Sequence, residues 1–150
     1  MAQTEAEKRG LDISSIGLAF IAGALSVAIF QFGMAELLNR AGLAKVATWP
    51  MQAVPPFGVP QTVSYMFWGG LWGILMLPVL RSVGRGLGYW LTAILLGAVV
   101  VSAVLLFIVF PLKGRPLAAG WNMQAWATIG ALHAAFGLGV AAILRLAGRA

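Results

Sequence analysis

Apolar residues fall in four long blocks separated by short polar or proline-rich segments, and this alternation sets the architecture. The first block runs from Ile13 to about Leu38 and is purest between Ile16 and Met34. The others are Val63 to Leu80, Leu87 to Phe110 and Ala125 to Leu146. A bilayer core about 30 Å thick is crossed by about 20 helical residues. The pattern therefore predicts an all-α membrane protein, a single domain over residues 1–150. Its four transmembrane helices, about 13–38, 63–80, 87–110 and 125–146, form an up-down-up-down bundle behind a polar N-terminal tail, residues 1–12.

The breaks between blocks are written in proline and arginine. Pro50, Pro55, Pro56 and Pro60 exclude a helix from residues 39–62, because proline lacks the backbone donor and holds its predecessor extended. So long a connection is expected either to be functional or to be a disordered loop. The second block is read as ending at Pro78 and the basic turn Arg81 to Arg85. That short turn makes the second and third helices an antiparallel hairpin. Pro111, Lys113, Gly114, Arg115 and Pro116 break the chain after the third block. Lys8 and Arg9 precede the first block in the manner of a signal peptide, with small residues Ala41 and Gly42 behind it. A signal core spans about 7–15 residues, and this longer block is expected to stay as a retained helix.

Composition agrees with the blocks. Hydrophobic residues make up 61% and charged residues 9%, where ordinary soluble domains carry about 25% charge. The net charge of +6 does not point to nucleic acid, because the basic residues stand in twos at the block ends and form no longer patch. The tail, the middle turn and the C-terminus hold six Lys and Arg, and the two longer loops hold four. That bias predicts a multi-pass protein with both termini cytoplasmic. The chain contains no cysteine, which excludes disulfides and thiolate sites.

Few side chains could do chemistry. His133 lies inside the fourth block, where an ionisable group is a functional candidate. Gly130, Gly137 and Ala141 share its helical face, so it is expected to look into the bundle. There it makes an interhelical hydrogen bond or serves proton transfer or ligand binding; a two-histidine haem site lacks its second ligand. Glu36 stands four residues before Arg40, the spacing of a helical ion pair. Read functionally, Glu36 is an ion or proton site at the outer mouth, with Gln31 lining the same path. Trp49, Tyr65, Trp68, Trp121 and Trp126 are placed at the outer interface, with Tyr89 and Trp90 at the inner one, as an aromatic belt. Alternatively Trp49, Phe57 and Trp121 form a lid over a lipid or small-molecule pocket between the loops Trp49–Gln61 and Trp121–Gln124. Gly69 and Gly73 make a G-x-x-x-G pair, expected to pack the second helix on the fourth. With no paired carboxylates, metal-ligand cluster or nucleophile–base constellation in view, neither catalysis nor a cofactor is expected.

One echo links the halves. Trp49-Pro50-Met51-Gln52-Ala53 and Trp121-Asn122-Met123-Gln124-Ala125 share four residues, each copy following an odd-numbered helix. The rest of the halves matches poorly, and the echo alone is read as coincidence rather than as a duplicated hairpin.

Gly58-Val59-Pro60 followed by Phe67-Trp68-Gly69-Gly70-Leu71-Trp72-Gly73 resembles a segment of small bacterial four-helix membrane proteins of uncharacterised function. The resemblance covers mostly the first loop and the second helix. It implies a bacterial inner (plasma) membrane and assigns no site residue. The expected role is a non-catalytic accessory or structural component whose partners are the bilayer and another membrane protein. The alternatives are a homo-oligomeric transporter or channel component using Glu36 and His133, and a lipid- or small-molecule-binding protein.

Overall fold

The computed structural model describes residues 11–150. Four helices are long and apolar enough to cross a membrane: α1 Ile13–Arg40, α2 Gln61–Ser82, α3 Leu87–Leu112 and α4 Met123–Leu146. Most of the expected tail lies outside the described residues. The helices outrun the apolar blocks by about a turn, because polar end residues such as Asn39, Gln61 and Gln124 add helical bonds without joining the apolar pattern. Pro78 does not end α2, which runs through it to Ser82, and Pro111 lies inside the last turn of α3. In apolar surroundings a helix keeps its remaining backbone bonds, so one missing donor does not end it. Three wide turns interrupt the regular winding: Val27–Gln31 in α1, and Leu96–Val101 and Leu105–Val109 in α3.

The proline-rich connection contains a small antiparallel hairpin, β1 Ala53–Val54 with β2 Val59–Pro60. Before α4, Ala118, Ala119, Gly120 and Trp121 run consecutively in the left-handed region, with φ of 53°, 53°, 65° and 60°. Left-handed backbone costs roughly 1–2 kcal/mol for each residue with a Cβ. The turn is held by the Trp126 indole, whose Nε1 donates to Ala118 O at 2.8 Å, and by complete burial of Ala118.

Small residues decide how the helices pair. The expected packing of α2 on α4 through Gly69 and Gly73 is not what forms: both glycines face α1. A Cβ on Gly23 would lie 2.0 Å from Gly69 O, and one on Gly73 would lie 2.2 Å from Ala19 O. The α3–α4 pair repeats this crossing. A Cβ on Gly97 would lie 1.9 Å from His133 O, and one on Gly137 would lie 2.1 Å from Ala93 O. Ala19-x-x-x-Gly23 therefore meets Gly69-x-x-x-Gly73 as Ala93-x-x-x-Gly97 meets His133-x-x-x-Gly137, antiparallel in both pairs. Such contact lets backbones pack directly, the main attraction available where lipid is as apolar as the side chains.

The equivalence extends along both pairs at a constant spacing. Buried Ser15, Ala19, Gly23, Val27 and Phe32 of α1 correspond to buried Tyr89, Ala93, Gly97, Val101 and Leu106 of α3, each 74 residues later. Gly69, Gly73, Met76, Leu77 and Leu80 of α2 correspond to His133, Gly137, Val140, Ala141 and Leu144 of α4, each 64 residues later. The loop echo lies between these two stretches, offset by two residues from the α1–α3 spacing. Trp49 and Trp121 both have positive φ, 44° and 60°. Pro50 O accepts from Thr62 N at 2.9 Å as Asn122 O accepts from Trp126 N at 3.0 Å. The first half differs by the hairpin residues 53–60, across which Gln61 N donates to Gln52 O at 2.9 Å. The echo thus stands at corresponding places in two helix pairs that pack alike.

The repeat is broken at one seam. Ser26 of α1 donates to Phe136 O of α4 at 2.6 Å, and Gly139 makes room for it: a Cβ there would lie 2.2 Å from Ser26 Oγ. The equivalent positions on α3 and α2 are Val100 and Leu75, 42% and 60% exposed. A valine and a leucine cannot interlock as Ser26 and Gly139 do, so α1 lies along α4 whereas α3 touches α2 chiefly near their connecting turn.

Candidate functional site

Most interior polar groups of the described residues stand at contacts between helices. His133, 8% exposed, sits in the α3–α4 contact, and its Nδ1 is 2.9 Å from Ser102 Oγ. The expected inward orientation is what the structure has, as an interhelical hydrogen bond. Gly137 and Ala141 share its buried face; Gly130 does not, since a Cβ there would meet nothing within 4 Å. Tyr89 Oη donates to Ala141 O at 2.7 Å, tying the other end of the same pair. Of the described residues, Ser15, Ser26, Thr62, Ser102 and His133 are the buried polar ones. Each is bonded within the chain: Thr62 Oγ1 to Pro50 O at 2.7 Å, Ser15 Oγ to Arg81 at 2.8 Å, and the others as above.

Glu36 forms the expected pair with Arg40, whose Nε donates to Glu36 Oε1 at 2.7 Å on the exposed end of α1. Exposed pairs at this spacing contribute about 0.3–0.5 kcal/mol. Gln31 closes the wide turn of α1, and five helical residues turn about 140°, so Gln31 and Glu36 do not share a face. No hydrogen bond joins Glu36, Gln31 or His133 to another of the three among the described residues. The ion path drawn through them is not assembled in the single chain.

The aromatics expected at the outer interface split into two clusters rather than one lid. Trp49 packs on Phe32 with ring centroids 5.8 Å apart and donates Nε1 to Ala28 O at 2.8 Å. Tyr65 packs on the other side of that cluster, 6.2 Å from Phe32, and its hydroxyl accepts from Gln61 Nε2. Trp121 stacks on Trp126 at 5.6 Å and meets Phe107 edge-on at 6.0 Å. Phe57 is 87% exposed at the hairpin tip. The two longer loops meet instead where Gln124 Nε2 donates to Leu43 O at 3.2 Å. The grooves are open: one, between α1, α3 and α4, is apolar and lined by Phe30, Met34, Ile94, Ala134 and Leu138. Neither His133 nor Glu36 lines it.

Sequence reading missed the opposite end, where Arg81, Arg85, Arg145 and Arg149 gather beside Ser15, Tyr89 and Asp12. Arg81 Nε donates to Arg149 O at 2.9 Å, and Arg145 Nη2 donates to Arg85 O at 2.7 Å. These bonds are reciprocal under the repeat, because Arg81 corresponds to Arg145 and Arg85 to Arg149. Ser14 Oγ donates to the exposed Asp12 carboxylate at 2.6 Å. With Ser15 this holds its carboxyl at about 2, below the usual carboxylate range. The cluster was legible only as four separate helix-end charges, since their convergence depends on how the pairs dock. Comparison of the chain with protein-family models, curated proteins and solved structures returns no match.

Proposed function

We propose that the chain is a non-catalytic accessory or structural component of a bacterial inner membrane, with its helices crossing alternately and both termini cytoplasmic. One observation carries this reading: the five buried polar side chains of the described residues all end their hydrogen bonds inside the chain, four at contacts that join helices and Thr62 on the loop carbonyl of Pro50. Buried groups spent in this way set packing and leave the lipid-facing surface to make contacts with partners. The Lys and Arg balance of six against four supports the orientation. Native mass spectrometry of protein extracted gently from its own membrane tests it. The expected result is a discrete complex with a second membrane protein. A bare monomer, or only copies of itself, would overturn the reading.

A second reading is favoured by the repeat. Parallel helix repeats are an architecture of transporters, and a homo-oligomer of this chain could enclose a path that one copy lacks. It requires flux in reconstituted vesicles that His133→Ala or Glu36→Gln abolishes; unaltered flux in both variants removes it.

A further inference from the structure

Arg145 is held in place without a salt bridge among the described residues. Arg81 is oriented by Arg149 O and Ser15 Oγ, and Arg145 by Arg85 O and by the faces of Tyr89 and Trp90, 5.1 Å and 5.6 Å from its guanidinium carbon. Arg149 Nη1 lies 3.3 Å from Ser15 Oγ and 3.8 Å from Asp12 Oδ2. At Arg145 a carbonyl and two ring faces fix where the guanidinium points without cancelling its charge. Among the described residues, Asp12 lies beside Arg149, and no carboxylate lies within 4.0 Å of Arg85 or Arg145. Arg145 Nη1 is the one buried side-chain nitrogen or oxygen atom of the described residues without a hydrogen-bond partner. An unmet buried donor on a charged group costs more than a neutral one. The site calls for an acceptor that carries negative charge.

We propose that this end binds the phosphate of an anionic phospholipid headgroup, with Arg145 as the central donor and Arg85 and Arg149 beside it. A planar guanidinium matches phosphate oxygens in pairs. Tyr89 and Trp90 stand at the start of α3, at the level where aromatic rings meet headgroups. Basic pockets between transmembrane helices hold such headgroups on the cytoplasmic side. Arg145 as a residue is half-buried, so the phosphate approaches from its surface edge.

The test uses the full chain in nanodiscs of equal phosphatidylglycerol and phosphatidylcholine, with retained lipid counted by native mass spectrometry. The wild type is expected to retain phosphatidylglycerol preferentially. Each arginine removed from the site should lower that preference about five-fold. Arg145→Gln and Arg149→Gln are the site variants, and Arg115→Gln, at the other end of the molecule, is the charge-matched control. Arg145→Lys keeps the charge without the fork and should retain only part of the preference. Because the readout is a ratio of two lipids on folded protein, a loss of stability in a variant does not imitate the effect. Equal retention of the two lipids by the wild type overturns the proposal, as does an equal loss in Arg145→Gln and Arg115→Gln. A parallel arm adds inorganic phosphate to protein in phosphatidylcholine alone. Arg145-dependent thermal stabilisation by phosphate, without lipid preference, would assign the site to the free anion and overturn the lipid part.

Discussion

Gly97→Ala tests the close α3–α4 crossing directly. The new methyl would begin 1.9 Å from His133 O, 2.8 Å from His133 C and 3.1 Å from Gly137 N, all backbone atoms that no rotamer change can move. Reaching ordinary van der Waals distance requires the helices to separate by about 1.5 Å at this point, in an interior packed too densely to absorb it. Overpacking of this kind costs about 1–3 kcal/mol, and the better helix propensity of alanine returns at most about 1. Gly137→Ala should behave alike, since its methyl would begin 2.1 Å from Ala93 O. Gly130→Ala is the control on the same helix, with nothing within 4 Å of the added atom. It should be neutral or stabilising by up to about 1 kcal/mol. Reversible unfolding in mixed micelles with rising dodecyl sulfate, followed by circular dichroism, gives the three midpoints. If Gly97→Ala unfolds with the wild type, or Gly130→Ala falls as far as Gly97→Ala, the direct backbone contact is wrong.

Three further outcomes follow from other contacts. Ser26→Ala and Ser102→Ala each remove one interhelical hydrogen bond, and each should cost about 0.6 kcal/mol in the same unfolding assay; a loss above about 2 would mean the hydroxyls do more than join helices. Deleting residues 53–60 joins Gln52 to Gln61, already hydrogen-bonded at 2.9 Å, in the manner of Gln124 and Ala125. The shortened chain should keep its helical circular dichroism and its midpoint, and failure to fold would show that the hairpin is no insertion. Asp12 should titrate at about 2, and Ser14→Ala should move it up toward 3.8, read from its carboxyl carbon by NMR. A folded value below the unfolded one means that its contribution is present above the unfolded value near 3.8 and is lost as pH falls through about 2. An unchanged midpoint in the variant would remove Ser14 as the cause.

The four helices were legible because the bilayer imposes length and apolarity on each, and both can be read without knowing any neighbour. His133 pointing inward and the Glu36–Arg40 pair were legible for a similar reason, since helical spacing alone places them. The partners were not. Gly69 and Gly73 advertise a close contact, but Ala19-x-x-x-Gly23 on α1 is as good a complement as any small residues on α4, and periodicity cannot choose between them. The wide turns left no mark either, because residues such as Val27–Gln31 are ordinary in helices and the change of winding comes from packing. The arginine cluster is the clearest loss: its members are far apart in sequence and meet only through the docking of the two pairs.

A repeat can be faint in sequence and plain in structure. Lipid-facing positions are constrained only to be apolar, so Leu, Ile, Val and Phe exchange there freely and identity is lost. A crossing constrains size alone: Gly69 and His133 occupy equivalent places because each supplies a backbone carbonyl to a glycine, Gly23 in one pair and Gly97 in the other. What survives is a ladder of small and buried positions at constant spacing, which residue-by-residue matching does not reward. Divergence then acts where one exchange changes contact. Ser26 with Gly139 closes the α1–α4 seam, and Val100 with Leu75 holds the α2–α3 seam open toward lipid. Two helix pairs that pack alike thus form an unequal bundle, with one internal face used for cohesion and its counterpart left exposed.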